Sequence, residues 1–292
     1  MLGLTLDQLL ELLDLEDLEP NLYRGRIPKD SRDRVFGGQI VGQALVAAQR
    51  SAEGRPAHSM HGYFLRPGIP SEPIHYRVER LRDGRSFATR RVVAIQKEEA
   101  IFSLSASFQD VEDGLEYQRR RPESAPPSGE LYEDTIKRES ARFGKVDPND
   151  PRFGIPVEVR TEGGLLLFED TEHDSEVRTW FRSRGSLPDE PVIHQAVLAF
   201  ASDVTLLVSV VRPQPTGIRS PGFKSASIDH SMWFHRPFRV DDWLLFIQES
   251  PVTTGGRGFV RGEFYTENGE LVASATQEAM LRWDPDSGRR QR

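Results

Sequence analysis

The stretch Ser227-Ile228-Asp229-His230-Ser231-Met232-Trp233-Phe234-His235-Arg236-Pro237-Phe238 decides how the rest of the chain is read. It is a short aromatic run closed by Arg-Pro, and proline cannot donate to a ladder, so it reads as a strand with a hard stop. An echo stands far upstream: His58-Ser59-Met60-His61-Gly62-Tyr63-Phe64-Leu65-Arg66-Pro67. Phe64 and Phe234, Arg66 and Arg236, and Pro67 and Pro237 share one offset of 170 positions. One unit therefore occurs twice.

Working outward, each echo follows an apolar helix and precedes three strands. In the first copy, Val35-Phe36-Gly37-Gly38-Gln39-Ile40-Val41-Gly42-Gln43-Ala44-Leu45-Val46-Ala47-Ala48 is apolar or small in every turn, which predicts a buried helix. Ile74 to Leu81, Phe87 to Gln96 and Ala100 to Gln109 read as an antiparallel meander. In the second copy, Pro191 to Ser202 reads as the matching helix. Trp243 to Glu249, Gly258 to Thr266 and Leu271 to Leu281 follow as strands, with Asn268-Gly269 as a hairpin turn. A helix wrapped by a curled antiparallel sheet is an α+β unit. Before the first copy, the leucines between Leu4 and Leu18 recur at helical spacing, with Thr5 or Asp7 as a cap. The expected division is a first unit over 1–112, a Pro- and charge-rich linker over 113–155 with one short helix near Glu130 to Phe143, a second unit over 156–285, and a tail over 286–292.

Composition narrows the function. The 292 residues are 37% hydrophobic and 28% charged, with net charge −7, a soluble balance with no general pull toward nucleic acid or an anionic membrane. There is no cysteine, so thiolate catalysis, disulfides and Cys-ligated metals are excluded. No segment was expected to reach the roughly 18 apolar residues of a membrane helix. Neither terminus carries a targeting address, and the expectation is a cytoplasmic protein without membrane insertion.

The longest specific runs are Arg34-Val35-Phe36-Gly37-Gly38-Gln39, the two aromatic echoes, Arg257-Gly258-Phe259-Val260-Arg261-Gly262-Glu263-Phe264-Tyr265, and Leu271-Val272-Ala273-Ser274 with Gln277-Glu278. In these the chain resembles the acyl-CoA thioesterase II family across nearly its whole length. The resemblance implies a double hotdog: two helix-wrapped antiparallel sheets joined in one chain. It implies hydrolysis of acyl-CoA to fatty acid and CoA, no cofactor and no metal, and a homodimer or homotetramer. It also implies an Asp, a Thr or Ser, and a Gln that together hold a water. Residue by residue these fall on Asp203, Ser227 and Gln277.

Those residue types suit the chemistry. Thioester hydrolysis needs an aligned water, a proton acceptor and a stabilised oxyanion. Gln277 and Ser227 supply hydrogen bonds, and Asp203 supplies the base if an apolar setting raises its pKa. Gly37 and Gly38, at the start of a buried helix, are candidates for backbone contacts to the oxyanion. Read without the resemblance, Asp203 is equally a solvated loop acid, Ser227 a strand-edge hydroxyl, and the two glycines turn residues. His58 is a further candidate base, whereas His230 and His235 read as structural, bonded across the two halves. Arg66 and Arg236 either fix a turn or meet CoA phosphates. The first half carries Ser107 and Ala57 at the offset of 170 from Gln277 and Ser227, so one active site per chain is expected. The alternatives are a hotdog hydratase using a histidine base, and a non-catalytic acyl-CoA binding protein.

Overall fold

The computed structural model describes residues 3–28, 34–120, 127–143, 154–165, 174–218 and 220–284. The chain opens with helix α1 (Leu6–Leu13), started by a capping box between Thr5 and Gln8. Strands β1 (Glu16–Glu19) and β2 (Leu22–Gly25) lead to helix α2 (Gly37–Arg50). Then come β3 (Ala57–Phe64), β4 (Ile74–Asp83), β5 (Phe87–Gln96) and β6 (Glu99–Gln109). The second half holds β7 (Glu130–Leu131), α3 (Tyr132–Phe143), β8 (Val157–Thr161), β9 (Val177–Ser183), α4 (Pro191–Ser202) and α5 (Leu206–Val211). It closes with β10 (Phe223–Ser227), β11 (Asp229–Phe234), β12 (Leu244–Thr254), β13 (Arg257–Thr266) and β14 (Leu271–Trp283).

All these strands form one continuous antiparallel sheet in the order β1-β2-β4-β5-β6-β3-β11-β14-β13-β12-β9-β8-β7, with β10 beside β14. The two echoes are the strands that meet in the middle. β3 pairs with β11 so that His61 stands opposite Ser231. Those two positions are themselves 170 apart, so this pair lies on the local two-fold relating the halves; His61 Nδ1 and Ser231 Oγ are 3.3 Å apart. The Arg-Pro blocks behave alike. Arg66 Nη1 donates to Ala100 O at 2.8 Å and Arg236 Nη1 to Leu271 O at 3.0 Å, each fixing the hairpin of its own half.

Helices α2 and α4 lie against each other on one side of the sheet, buried on almost every face. A Cβ on Gly38 would stand 2.5 Å from Phe200 O, and one on Gly42 3.2 Å from Ala196 O. As α2 advances by one turn, α4 retreats by one, so the helices are antiparallel. Their backbones touch where α2 has no side chain.

Three readings need correcting. The predicted strand Ser227 to Phe234 is two strands, broken at Ile228. Within the expected linker, the short helix near Glu130 to Phe143 is α3, and β7 pairs with β8 while Gln118 Nε2 donates to Gly269 O, tying linker residues to the second half. The periodicity also missed β1 and α5. Finally, Pro191–Val211 is, at 21 residues, long and apolar enough to cross a membrane by length and composition. Its most apolar 18-residue window is instead 83% buried within the protein, and three turn residues separate the end of α4 at Ser202 from the start of α5 at Leu206. The tail over 286–292 lies outside the described residues.

Gly38→Ala forces a methyl onto the Phe200 carbonyl. The expected loss is about 1–3 kcal/mol of stability, read as a lower urea midpoint. Gly114→Ala, at a glycine with nothing within 4 Å of the added carbon, is the control and should leave the midpoint unchanged.

Candidate active site

A bulge, a buried amide and a helix end bring the polar residues together. β10 and β11 both pair with β14, but Ser227 faces Ala279 while Ser231 faces Thr276, a register one residue out of step. Asp229 Oδ1 accepts the Glu278 N–H at 2.6 Å, and Ile228 N–H donates to Glu278 O at 2.8 Å, satisfying the ladder across the break. A bulge re-aims the side chains beside it. Here Ser227 and His230 both end against Gln277 of β14. Gln277 is fully buried. Its Nε2 donates to Ser227 Oγ at 2.8 Å, and its Oε1 lies 2.7 Å from His230 Nδ1.

Asp203 is the C-cap of α4. A carboxylate there opposes the dipole of its own helix. The antiparallel packing removes the conflict by placing Asp203 at the N-terminus of α2. That helix has no side-chain cap and no acid in its first turn. The Gly38 backbone N–H, the Gln277 amide and the Ser227 hydroxyl all face the Asp203 carboxyl and favour its charged form. A Cβ on Gly37 would stand 2.8 Å from Asp203 Oδ2, so only glycine leaves this approach open. The site is thus composite: three side chains from the second half against a helix end from the first.

The chain matches two family models, an acyl-CoA thioesterase model over residues 153–280 and an acyl-CoA thioesterase N-terminal domain over residues 27–109. Acyl-CoA thioesterase 2 of Haemophilus influenzae is 38% identical over 281 residues, covering 95% of this chain and 98% of that one. The chain belongs to the acyl-CoA thioesterase family. It is a thioester hydrolase on the double hotdog fold. Acyl-coenzyme A thioesterase 8 of Mus musculus is 37% identical, covering 94% of this chain and 88% of the relative. The crystal structure of an acyl-CoA thioesterase II from Mycobacterium marinum superposes with a TM-score of 0.77 at 40% identity, over 95% of this chain and 98% of that one.

The other half of this family member has lost the polar set. β3 pairs with β6 as His61 opposite Ser105, and β11 with β14 as Ser231 opposite Thr276. Counting from those pairs, the counterpart of Gln277 is Ala106, not Ser107, because the sheet register shifts the offset by one. Ala57 does stand opposite Ser227 in the local two-fold. Ser51 and Ser202 end the two helices alike, each hydroxyl oxygen 2.9 Å from the carbonyl oxygen three residues back. The residue after Ser202 is Asp203; the residue after Ser51 is Ala52. Acid, hydroxyl and amide are therefore all alanine in the first half.

The remaining candidates are placed as follows. Gly37 and Gly38, the expected oxyanion donors, open α2 beside the Asp203 carboxyl. His58 meets Ser107 Oγ at 2.8 Å and the edge of the Phe87 ring, not the Asp203 group. His235 bonds Ser274, within its own half, and so does His230 with Gln277; the histidine that bonds across the halves is His61. Among the described residues, no group of three or more His, Asp or Glu is arranged to hold a metal. A cleft of about 520 Å³ beside the start of α4 is lined by Arg182, Arg184 and Arg239. Its guanidinium groups are already paired with Glu158, Glu133 and Asp241. Sequence reasoning missed Arg34, whose charge faces Asp203, and Asp229, which holds the bulge.

Burial raises the Asp203 carboxyl to about 7, against the opposing pull of the Gly38, Gln277 and Ser227 hydrogen bonds and the Arg34 charge. The folded protein therefore keeps a proton that the unfolded chain releases near pH 3.8. Stability is lost as pH rises from there to about 7 and stays lost above it. Asp203→Asn removes that cost. The variant should be more stable than the parent at pH 8, by on the order of 2–4 kcal/mol, with the gap closing toward pH 4 in paired denaturation curves.

Proposed function

We propose that this thioester hydrolase acts on acyl-CoA, and that Asp203, Ser227 and Gln277 activate a water which attacks the thioester carbonyl directly. The observation that carries the reading is the convergence of these three side chains on the N-terminus of α2. Asp203 takes a proton from the water. The water oxygen forms a bond to the carbonyl carbon, giving a tetrahedral oxyanion. The C–S bond then breaks, and the proton passes from Asp203 to the departing thiolate. The products are the carboxylic acid and the CoA thiol.

A carboxyl with a pKa of about 7 is matched to this task, since a base with its ordinary pKa near 3.8 would accept a water proton poorly. Gln277 and Ser227 act as donors and acceptors that aim the water. Intrahelical bonding in α2 starts with Ile40 N–H to Phe36 O, so the N–H groups before it point out of the helix end. The Gly38 N–H favours the Asp203 carboxylate, and we assign Gly37 N–H to the thioester carbonyl oxygen. The hydratase reading needs a histidine base, and His230 is unsuited because burial holds it at about 4 with both ring nitrogens engaged.

Thiol release from CoA esters of graded acyl length tests the reading. Wild-type kcat/KM should rise with pH through about 7, following ionisation of Asp203. Asp203→Asn and Gln277→Ala should each lower kcat by roughly 10²- to 10³-fold. Undiminished thiol release in both variants would refute the mechanism. Tight ester binding without thiol release by the parent would favour a binding protein instead.

A further inference from the structure

The amide of Gln277 has two ends of nearly equal shape and opposite polarity. Nε2 faces Ser227 and Asp203 only while something holds Oε1 the other way. A turn of the amide would set Oε1 against the Asp203 carboxylate and leave the site without a donor. We infer that His230, steadied by Ser202, is a positioning residue that holds the Gln277 amide in its working orientation. The inference rests on the catalytic reading of Gln277 given above.

The geometry supplies each link. His230 is fully buried, with Nδ1 2.7 Å from Gln277 Oε1 and Nε2 2.9 Å from Ser202 Oγ. An amide oxygen only accepts, so Nδ1 carries the proton. Burial keeps the ring neutral at working pH, so Nε2 is a lone pair that needs a donor. The Ser202 hydroxyl is that donor. It has one proton and three acceptors in reach: His230 Nε2 and Ala199 O, both at 2.9 Å, and the weaker Met232 Sδ at 3.5 Å. Donation to Nε2 selects the Nδ1–H tautomer. Donation to Ala199 O instead would favour the other tautomer and turn the Gln277 amide. Among the described residues no charged group acts on His230, and Arg34 is a charged group that faces Asp203.

The first half is an internal control. Where Asp203, Ser227 and Gln277 are matched by Ala52, Ala57 and Ala106, His230 is matched by Met60, at the same offset of 170 as the seam pair. The serine is kept: Ser51 stands at the same 2.9 Å from its helix carbonyl and accepts from Arg90 Nε at 2.8 Å. Within this chain the serine goes with the fold, whereas the histidine goes with the catalytic set.

Three measurements decide it. His230→Leu should lower kcat by roughly tenfold to a hundredfold, because the Gln277 oxygen loses its donor in a dry site, with KM changed far less. Its kcat/KM profile should shift to higher pH as Asp203 loses a fixed donor. His230→Asn, which can present an N–H where Nδ1 stands, should recover much of the rate and the parent pH midpoint. His230→Leu added to Gln277→Ala should cost nothing further. Nitrogen NMR of the wild-type histidines at neutral pH should show His230 protonated at Nδ1 only. This last readout stands even if a variant fails to fold. An Nε2–H tautomer, or a His230→Leu enzyme with an unshifted profile, would overturn the positioning role. A fully active Gln277→Ala enzyme would instead overturn the catalytic reading on which it rests.

Discussion

The contact on which the site depends is backbone against backbone: Gly38 and Gly42 of α2 on the carbonyls of Phe200 and Ala196 of α4. A side chain at Gly38 would hold the helices apart, and the end of α4 would no longer reach the start of α2. Because the helices run in opposite directions, the unfavourable C-terminus of one, with its acid, meets the unsatisfied N–H groups of the other. Two costs offset each other. The Asp203 carboxyl gains donors it lacks on its own helix, and α2 gains the cap that Phe36 does not supply.

That arrangement also explains why the chain needs two copies of its unit and uses only one polar set. The helix end comes from the first half and the three side chains from the second, so neither half holds the site alone. The first half carries alanine at each matching position, yet it keeps the sheet seam, the glycine contact and the Ser51 helix stop. Its Arg90, fully buried and bonded to Ser51 and Asp83, fills space beside its own helix end with a satisfied guanidinium. Duplication left a symmetric frame with an asymmetric interior. The proposed mechanism uses that asymmetry, giving the helix end and the side chains different tasks.

Buried polarity is the cost of the site. Asp203, Gln277, His230 and Ser202 are all almost or wholly inaccessible, in a region otherwise lined by alanine, valine and phenylalanine. Each is tolerable only because the next one bonds it, in a line from Ser202 through His230 and Gln277 to Ser227 and Asp203. The same desolvation that strains Asp203 raises its proton affinity into the working range, so the instability and the basicity have one cause.

The sequence by itself determined the duplication, the helices α2 and α4, and most strands to within a few residues, because the periodicity and the Arg-Pro stops are local signals. Resemblance placed Asp203, Ser227 and Gln277. Sequence could not show the bulge at Ile228, because a strand with one extra residue keeps the composition of a strand and only its partners reveal the slip. For the same reason a fixed offset pointed to Ser107 where the sheet pairs Ala106. Nor could it show that Gly38 would cap Asp203, or that Arg34 would face it, since those contacts join residues more than 150 positions apart. Which polar residues are present was written along the chain; which atoms they offer one another was decided by two helices packing closely enough for their ends to touch.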